Sequence, residues 1–449
     1  MDKTEDDPNI ISLDGGVILN VHKNSIIDSN GNFKFKFDAL TQEELSLSYS
    51  SRSVHFIAGP SDSLFIRLKA DDFEKEDYPD FEITGPTAKL SKTILRFRNF
   101  FMPLTDNISN DNDVKLPPKE FLATLLPKIK QGDSLIRVFA EKNHPPELFF
   151  RFAKNDYLYH IANQLVYYIA YRQWHHIPYK YDPDLYDTKI FPVDNDQAII
   201  SFLYEVHLNQ YVQYRYIRGD STVSKLRKEK KETEAFALAL QNVLKNEKPG
   251  LSRDIMYYEL LNSRNNNPKT FIALMNRKDI YKGNPVLYEV LLNEKKQLEK
   301  PDYAIVNLNN FTKKERNITN NFFPGLLKKY SGKVIYIDFW EVYCAPCLFE
   351  FSYAHKLHDV YKGKPVAFVN VCMNSTIEQW RQKIKDLKIT GDNYYLNSDQ
   401  SNIIKDKLHV HSFPTYFLID KNGNIIDTHP PHPSSGKTLT TMLDKYIAK

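Results

Sequence analysis

An almost unbroken apolar run, Val334–Trp340, leads through Glu341-Val342-Tyr343 into Cys344-Ala345-Pro346-Cys347 and then into a stretch with helical spacing up to Tyr361. Few folds accommodate that order. A short run rich in β-branched residues reads as a strand covered on both faces, and a strand passing directly into a helix opens an α/β crossover. Two residues between the cysteines put the second one helical turn beyond the first, close enough to form a disulfide. The first thiol then sits at a helix N-terminus, where the dipole and free N–H groups stabilise a thiolate. Pro346 suits that first turn, because the N–H it lacks would have no partner there.

The rest of the cysteine arithmetic favours a redox pair. Three cysteines in 449 residues cannot build a disulfide framework or a four-cysteine metal site. A bare C-x-x-C could be half of a zinc site, but there is no second one, and Cys372 would need histidines to complete it. His409 and His411, His175-His176, His429 and His432 show no carboxylate at ligand spacing, so they read as satisfied or solvent-facing and no metal is expected. Cys372 lies on the apolar strand Val366–Met373 and is expected to be a buried, inert thiol.

Around the cysteine pair the chain alternates strand and helix. After Val366–Met373 come a helix over Thr376–Leu387, strands at Thr415–Asp420 and Ile425–Thr428 flanking Lys421-Asn422-Gly423-Asn424, and a terminal helix; Asn-Gly is a strong hairpin signal. A mixed sheet flanked by helices follows for residues 301–449. Residues 1–112 read as an antiparallel, β-sandwich-like domain. Its turn cluster Asp28–Asn32 precedes the alternating Phe33-Lys34-Phe35-Lys36-Phe37, and Leu45–Ser51, Val54–Ala58 and Leu64–Lys69 continue the pattern. Leu90–Phe101 shifts to helical spacing. Residues 113–300 read as an α-helical insert, with helical periodicity over Phe121–Lys130, Leu135–Lys142, Pro146–Arg172, Asp196–Arg218, Lys231–Asn246, Ser252–Asn262 and Pro268–Arg277. The fold class is therefore multidomain α/β.

Sixty basic and fifty-six acidic residues leave a net charge of +4, too dilute for the concentrated basic stripe of a nucleic-acid partner. No stretch approaches the ~20 apolar residues of a membrane span. The acidic opening Met1-Asp2-Lys3-Thr4-Glu5-Asp6-Asp7 is not an export signal and, if native, reads as cytoplasmic.

Asp338–Cys347 resembles the active-site run of thioredoxin-like proteins. Ser412-Phe413-Pro414-Thr415 and the strand to Asp420, with Asn422-Gly423 beyond it, resemble their cis-proline strand and hairpin. Glu350, three residues after Cys347, matches the acidic residue of the TlpA/ResA-like thiol–disulfide oxidoreductases, and the resemblance covers roughly residues 330–449. Upstream, the D-x-N-G-x-F-x-F turn and Gly85–Leu90 resemble the N-terminal domain of unknown function that precedes such redoxin domains in Bacteroidetes.

The resemblance implies a thioredoxin-like fold in which Cys344 attacks a protein disulfide and Cys347 resolves the mixed disulfide. No cofactor beyond the Cys344/Cys347 disulfide is implied. Pro414 would follow a cis peptide bond and lie against the dithiol, and Trp340, Tyr343, Ser412 and Phe413 would line the substrate groove. Phe413 replaces a usually small or β-branched residue, so a crowded, apolar groove is expected. Glu350 shares a helical face with Cys347, where burial would raise its pKa towards useful proton exchange; Asp338 matches the buried aspartate of thioredoxins. Either could take the proton of Cys347. The resemblance also implies a periplasmic or cell-envelope location, disulfide-bearing protein substrates and a membrane-bound thiol electron donor. Two other readings stay open. One is an envelope protein whose residues 1–300 bind a partner or ligand and whose redox domain is accessory. The other is a thiol peroxidase, which calls for Thr-x-x-Cys where this chain has Glu341-Val342-Tyr343-Cys344.

Overall fold

The computed structural model describes residues 10–15, 21–37, 39, 41–49, 52–69, 81–105, 112–174, 177–178, 180–262, 268–299, 313–408, 410 and 413–448. Strands β1 (Ile10–Gly15), β2 (Val21–Ile26), β3 (Glu43–Tyr49) and β4 (Arg52–Ala58) form an antiparallel sheet in the order β2-β1-β3-β4. A second ribbon pairs β5 (Phe65–Leu68) with β6 (Phe81–Thr84). Alternation fixes which face is buried: Leu45 and Leu47 stand opposite Phe56 and Val54, and all four enter one apolar core. Phe33, Phe35 and Phe37 also pack against that core while Lys34 and Lys36 stay exposed. The expected alternation is therefore present, but not as a sheet strand. Lys34 N–H donates to the Ser25 hydroxyl, so a side chain supplies the contact that a ladder carbonyl would otherwise make.

Helix α1 (Ala88–Thr105) carries Leu90, Ile94, Phe97 and Phe101, a spacing that lines up one helical face, and it buries that face in the core of the helical region. That region comprises α2 (Pro118–Asn143), α3 (Glu147–Ala162), α4 (Gln164–Trp174), α5 (Phe202–Val212), α6 (Ser221–Lys228), α7 (Glu232–Asn246), α8 (Leu251–Leu261), α9 (Pro268–Met275) and α10 (Pro285–Leu298). The two helices expected over Phe121–Lys142 are one, α2, with Pro127 inside it. Arg98 of α1 joins sheet to helices: its guanidinium pairs with Glu44 of β3 and with Asp156 of α3, at 2.9 Å from Asp156 Oδ1.

After α11 (Lys313–Ile318) and α12 (Phe322–Lys329) the chain builds β7 (Val334–Trp340), α13 (Ala345–Val360), β8 (Val366–Cys372), α14 (Ile377–Leu387), β9 (Asp392–Tyr395), α15 (Ser398–Leu408), β10 (Thr415–Ile419), β11 (Ile425–Asp427) and α16 (Lys437–Ala448). The sheet order is β11-β10-β7-β8-β9, with β7, β8 and β9 parallel and β10 antiparallel to both β7 and β11. The mixed sheet read from the sequence is present. The short β9 and the polar α15 were not expected. Ile335, Ile337 and Phe339 of β7 face α12 and α15, whereas Val334 and Tyr336 face α13 and α16. A period of two therefore turns Asp338 and Trp340 towards α13.

The outer face of β1 meets this domain. Ile11 and Leu13 enter the N-terminal core, while Ile10 enters the core that includes Ile403 and Ile404 of α15. Asn24 Nδ2 donates to the Asn402 carbonyl at 3.4 Å. Among the described residues, no helix is long and apolar enough to cross a membrane.

Candidate functional site

β7 ends in the middle of the sheet, and its chain turns over Glu341–Cys344 into α13. Cys344 caps that helix: its Sγ accepts the Cys347 N–H at 3.1 Å, and it is joined to Cys347 Sγ by a disulfide. The two sulfurs are unequal. Cys344 keeps 8% of its surface and Cys347 none, so a docking molecule reaches Cys344 first. Tyr343, 74% exposed, stands beside it, its hydroxyl accepting from Gln379 Nε2 at 2.7 Å.

The loop after β8 braces this turn. Met373 N–H donates to the Trp340 carbonyl at 2.9 Å, and Val342 N–H to the Ser375 hydroxyl at 3.3 Å. Asn374, at φ +50°, donates through Nδ2 to Glu341 and accepts from Lys405 of α15. Asparagine is among the few residues that enter this left-handed conformation readily. Neither Asn374 nor Ser375 stood out in the sequence, because nothing near them in the chain marks contact with a turn some thirty residues earlier.

The peptide bond Phe413–Pro414 is cis. Phe413 is half-buried and packs against the cluster holding Cys344, Cys347, Trp340 and Cys372, so the ring predicted to crowd the groove lies on the dithiol core. Trp340, expected to line the groove, is instead fully buried, with its ring 5.0 Å from that of Phe351. As the last residue of β7 on the α13 side it offers no surface to a substrate; its work is to support the helix from below. Ser412, His409, His411, His175 and His176 lie outside the described residues. Cys372 is fully buried, and burial pushes its thiol up to about 12.

Two carboxyls, Asp338 on β7 and Glu350 on α13, are buried on the α13 side of the sheet. Asp338 is buried, and its Oδ1 has no hydrogen-bond partner among the described residues. Burial first, then the charge of Glu350, raises its carboxyl well above the ordinary value. Glu350 is buried as well but differently served: Oε2 accepts the Ser434 N–H at 2.9 Å, Oε1 accepts the Ser434 hydroxyl at 2.7 Å, and His432 Nδ1 stands 3.6 Å from Oε1. Burial pulls the Glu350 carboxyl up, but these partners outweigh it and carry it below the ordinary value. The upward shift expected for Glu350 from burial alone is thus reversed, and the acid with raised proton affinity is Asp338. Tyr336 and Tyr416, stacked with ring centroids 5.3 Å apart, complete the buried group. The two acids on one strand–helix face are thus pushed in opposite directions.

The family model described as thioredoxin-like matches residues 332–425. Over 125 residues, 27% of this chain and 66% of the relative, the chain is 30% identical to the thiol-disulfide oxidoreductase ResA of Bacillus thuringiensis. It is 28% identical over 102 residues, 22% of this chain and 55% of the relative, to the ResA of Geobacillus kaustophilus. The chain thus spans just under two thirds of the length of the first of these curated relatives and little more than half of the other. Among solved structures it is similar to the thioredoxin domain of a thiol-disulfide oxidoreductase from Bacteroides vulgatus, at 24% identity and a TM-score of 0.25, covering 27% of this chain and 84% of that one.

Proposed function

Taking as premise the thioredoxin-like domain at the C-terminal end of this chain, we propose that the protein is a thiol–disulfide oxidoreductase that reduces disulfides of cell-envelope proteins through Cys344 and Cys347. The observation that carries this reading is the cysteine pair at the start of α13, joined as a disulfide, with Cys344 reachable and Cys347 sealed beneath it. The disulfide is itself the redox group, and no other cofactor takes part.

In the reduced protein the Cys344 thiolate, favoured by the helix N-terminus, attacks a substrate disulfide. One new S–S bond joins Cys344 to the substrate and one substrate sulfur leaves as thiolate. Asp338 removes the proton of Cys347, whose thiolate then attacks Cys344 Sγ, expelling the second substrate sulfur and closing the Cys344–Cys347 disulfide. A separate thiol donor, proposed to be membrane-bound, restores the dithiol. The Ala-Pro pair between the cysteines adds no charge to the thiolate, so the couple is expected to be reducing, nearer thioredoxin at about −270 mV than DsbA at about −120 mV. Tyr343 and Phe413 give substrates an aromatic rim.

Trapping tests the reading. Cys347→Ser should accumulate mixed disulfides on Cys344 with envelope proteins, released by dithiothreitol and absent from the Cys344→Ser protein. Recovery of the same proteins by both variants, untouched by dithiothreitol, would identify binding rather than exchange as the activity.

A further inference from the structure

Asp338 and Glu350 are both buried, yet Glu350 faces a group that is not. The side chain of His432, in the loop after β11, is 51% exposed, and its Nδ1 lies 3.6 Å from Glu350 Oε1. Ser434 fixes the same carboxylate with two hydrogen bonds, through N–H to Oε2 and through Oγ to Oε1. The His432 ring also lies 4.9 Å from that of Tyr416, which stands opposite Asp338 in the β7–β10 register. The groups that face Glu350 are therefore Asp338 and Tyr336 from β7, Tyr416 from β10, and His432 and Ser434 from the loop; Asp427 of β11 acts on Tyr336. Of these, His432 alone is an imidazole, a ring with one nitrogen to accept a proton and another to donate one.

We propose that His432 is the proton outlet of the redox site: the proton that Asp338 takes from Cys347 passes to solvent through Glu350 and the imidazole, with Ser434 holding Glu350 in place for the transfer. The proposal rests on the oxidoreductase reading. A carboxyl as buried as that of Asp338 cannot exchange directly with bulk water, and each turnover delivers one proton to it. The balance is simple: the S–H bond of Cys347 breaks as an O–H bond forms on Asp338, the mixed S–S bond breaks as Cys344–Cys347 forms, and the imidazolium returns the proton to water. The histidine is a relay acting through Glu350, not a group that touches substrate.

The test follows release of reduced substrate from the Cys344 mixed disulfide in the full-length protein at pH 7, as buffer concentration is varied. His432→Gln should slow release about a hundredfold and make it depend on buffer, with added imidazole restoring the rate; His429→Gln, whose ring pairs with the Thr428 hydroxyl, should behave as wild type. Ser434→Ala should slow release without conferring rescue by imidazole. Wild-type release from His432→Gln at every buffer concentration would overturn the outlet, as would a slow rate that imidazole does not restore in a protein with unchanged circular dichroism. A wild-type protein that reduces no disulfide would instead remove the oxidoreductase reading itself.

Discussion

The Cys347 amide donates to Cys344 Sγ over 3.1 Å, so the helix start that closes the disulfide also supplies a hydrogen bond to the sulfur that a substrate reaches first. That bond, with the dipole of α13, favours the thiolate over the thiol. The Cys344 thiol in the reduced protein should therefore ionise below the ~8.5 of a free cysteine. Thiolate absorbance near 240 nm, followed against pH in Cys347→Ala, measures this; ionisation at or above the free value would remove the helix from the explanation of reactivity.

Asp338 makes a prediction with a definite sign. Its folded pKa lies above its unfolded one, so between the two values the folded chain holds a proton that the unfolded chain has released. Stability contributed through this group falls as pH rises across that window and stays low above it. Asp338→Asn should then stabilise the protein at neutral pH, by on the order of 1–3 kcal/mol, the cost of a buried unsatisfied polar group. Below the ordinary carboxylate pKa the gain should vanish. Urea unfolding at low and neutral pH checks both, and the same variant should slow release of the mixed disulfide.

Cys372 should be a bystander. It is sealed, and burial pushes its thiol up to about 12, so the reduced native protein should react rapidly with iodoacetamide at Cys344 and leave Cys372 unlabelled. Cys372→Ala should reduce disulfides at the wild-type rate. Labelling of Cys372 in the folded protein, or loss of turnover in the variant, would give the third cysteine a redox role.

The junction between the N-terminal sheet and the helical region should be sensitive at Arg98. Removing the guanidinium in Arg98→Met leaves Glu44 and Asp156 buried without their shared cation, a loss of roughly 3–5 kcal/mol. Burial raises the Glu44 carboxyl, but Arg98 and His55 outweigh it and hold it far below its ordinary value. Its contribution is therefore complete above pH ~4.3 and is lost as pH falls through the folded value. The difference between wild type and Arg98→Met in thermal unfolding should narrow on acidification below that point.

What the sequence carries in short runs was legible. The strand Val334–Trp340, the cysteine pair and the Asn-Gly hairpin each announce themselves within ten residues, and together they place the redox site. Contacts across the chain were not legible. His432 and Ser434 reach Glu350 from the far end of the domain, the serine over 84 positions, and no local pattern marks the groups that will reverse a carboxyl's pKa shift; burial alone predicted the wrong direction. Strand β9 and helix α15 escaped notice because Asp392–Tyr395 is a short, half-exposed strand beside β8, and Ser398–Leu408 is mostly polar along its length. Trp340 misled for a simpler reason. The family resemblance implied the groove, but the alternation of β7 turns its ring under α13.

The central claim is that Cys344, made reactive by its helix and backed by Cys347, reduces protein disulfides. Insulin reduction with dithiothreitol as donor, comparing the wild type with Cys344→Ser, addresses it most directly. The account predicts catalysis by the wild type and none above background by Cys344→Ser. Equal rates from the two proteins would contradict it.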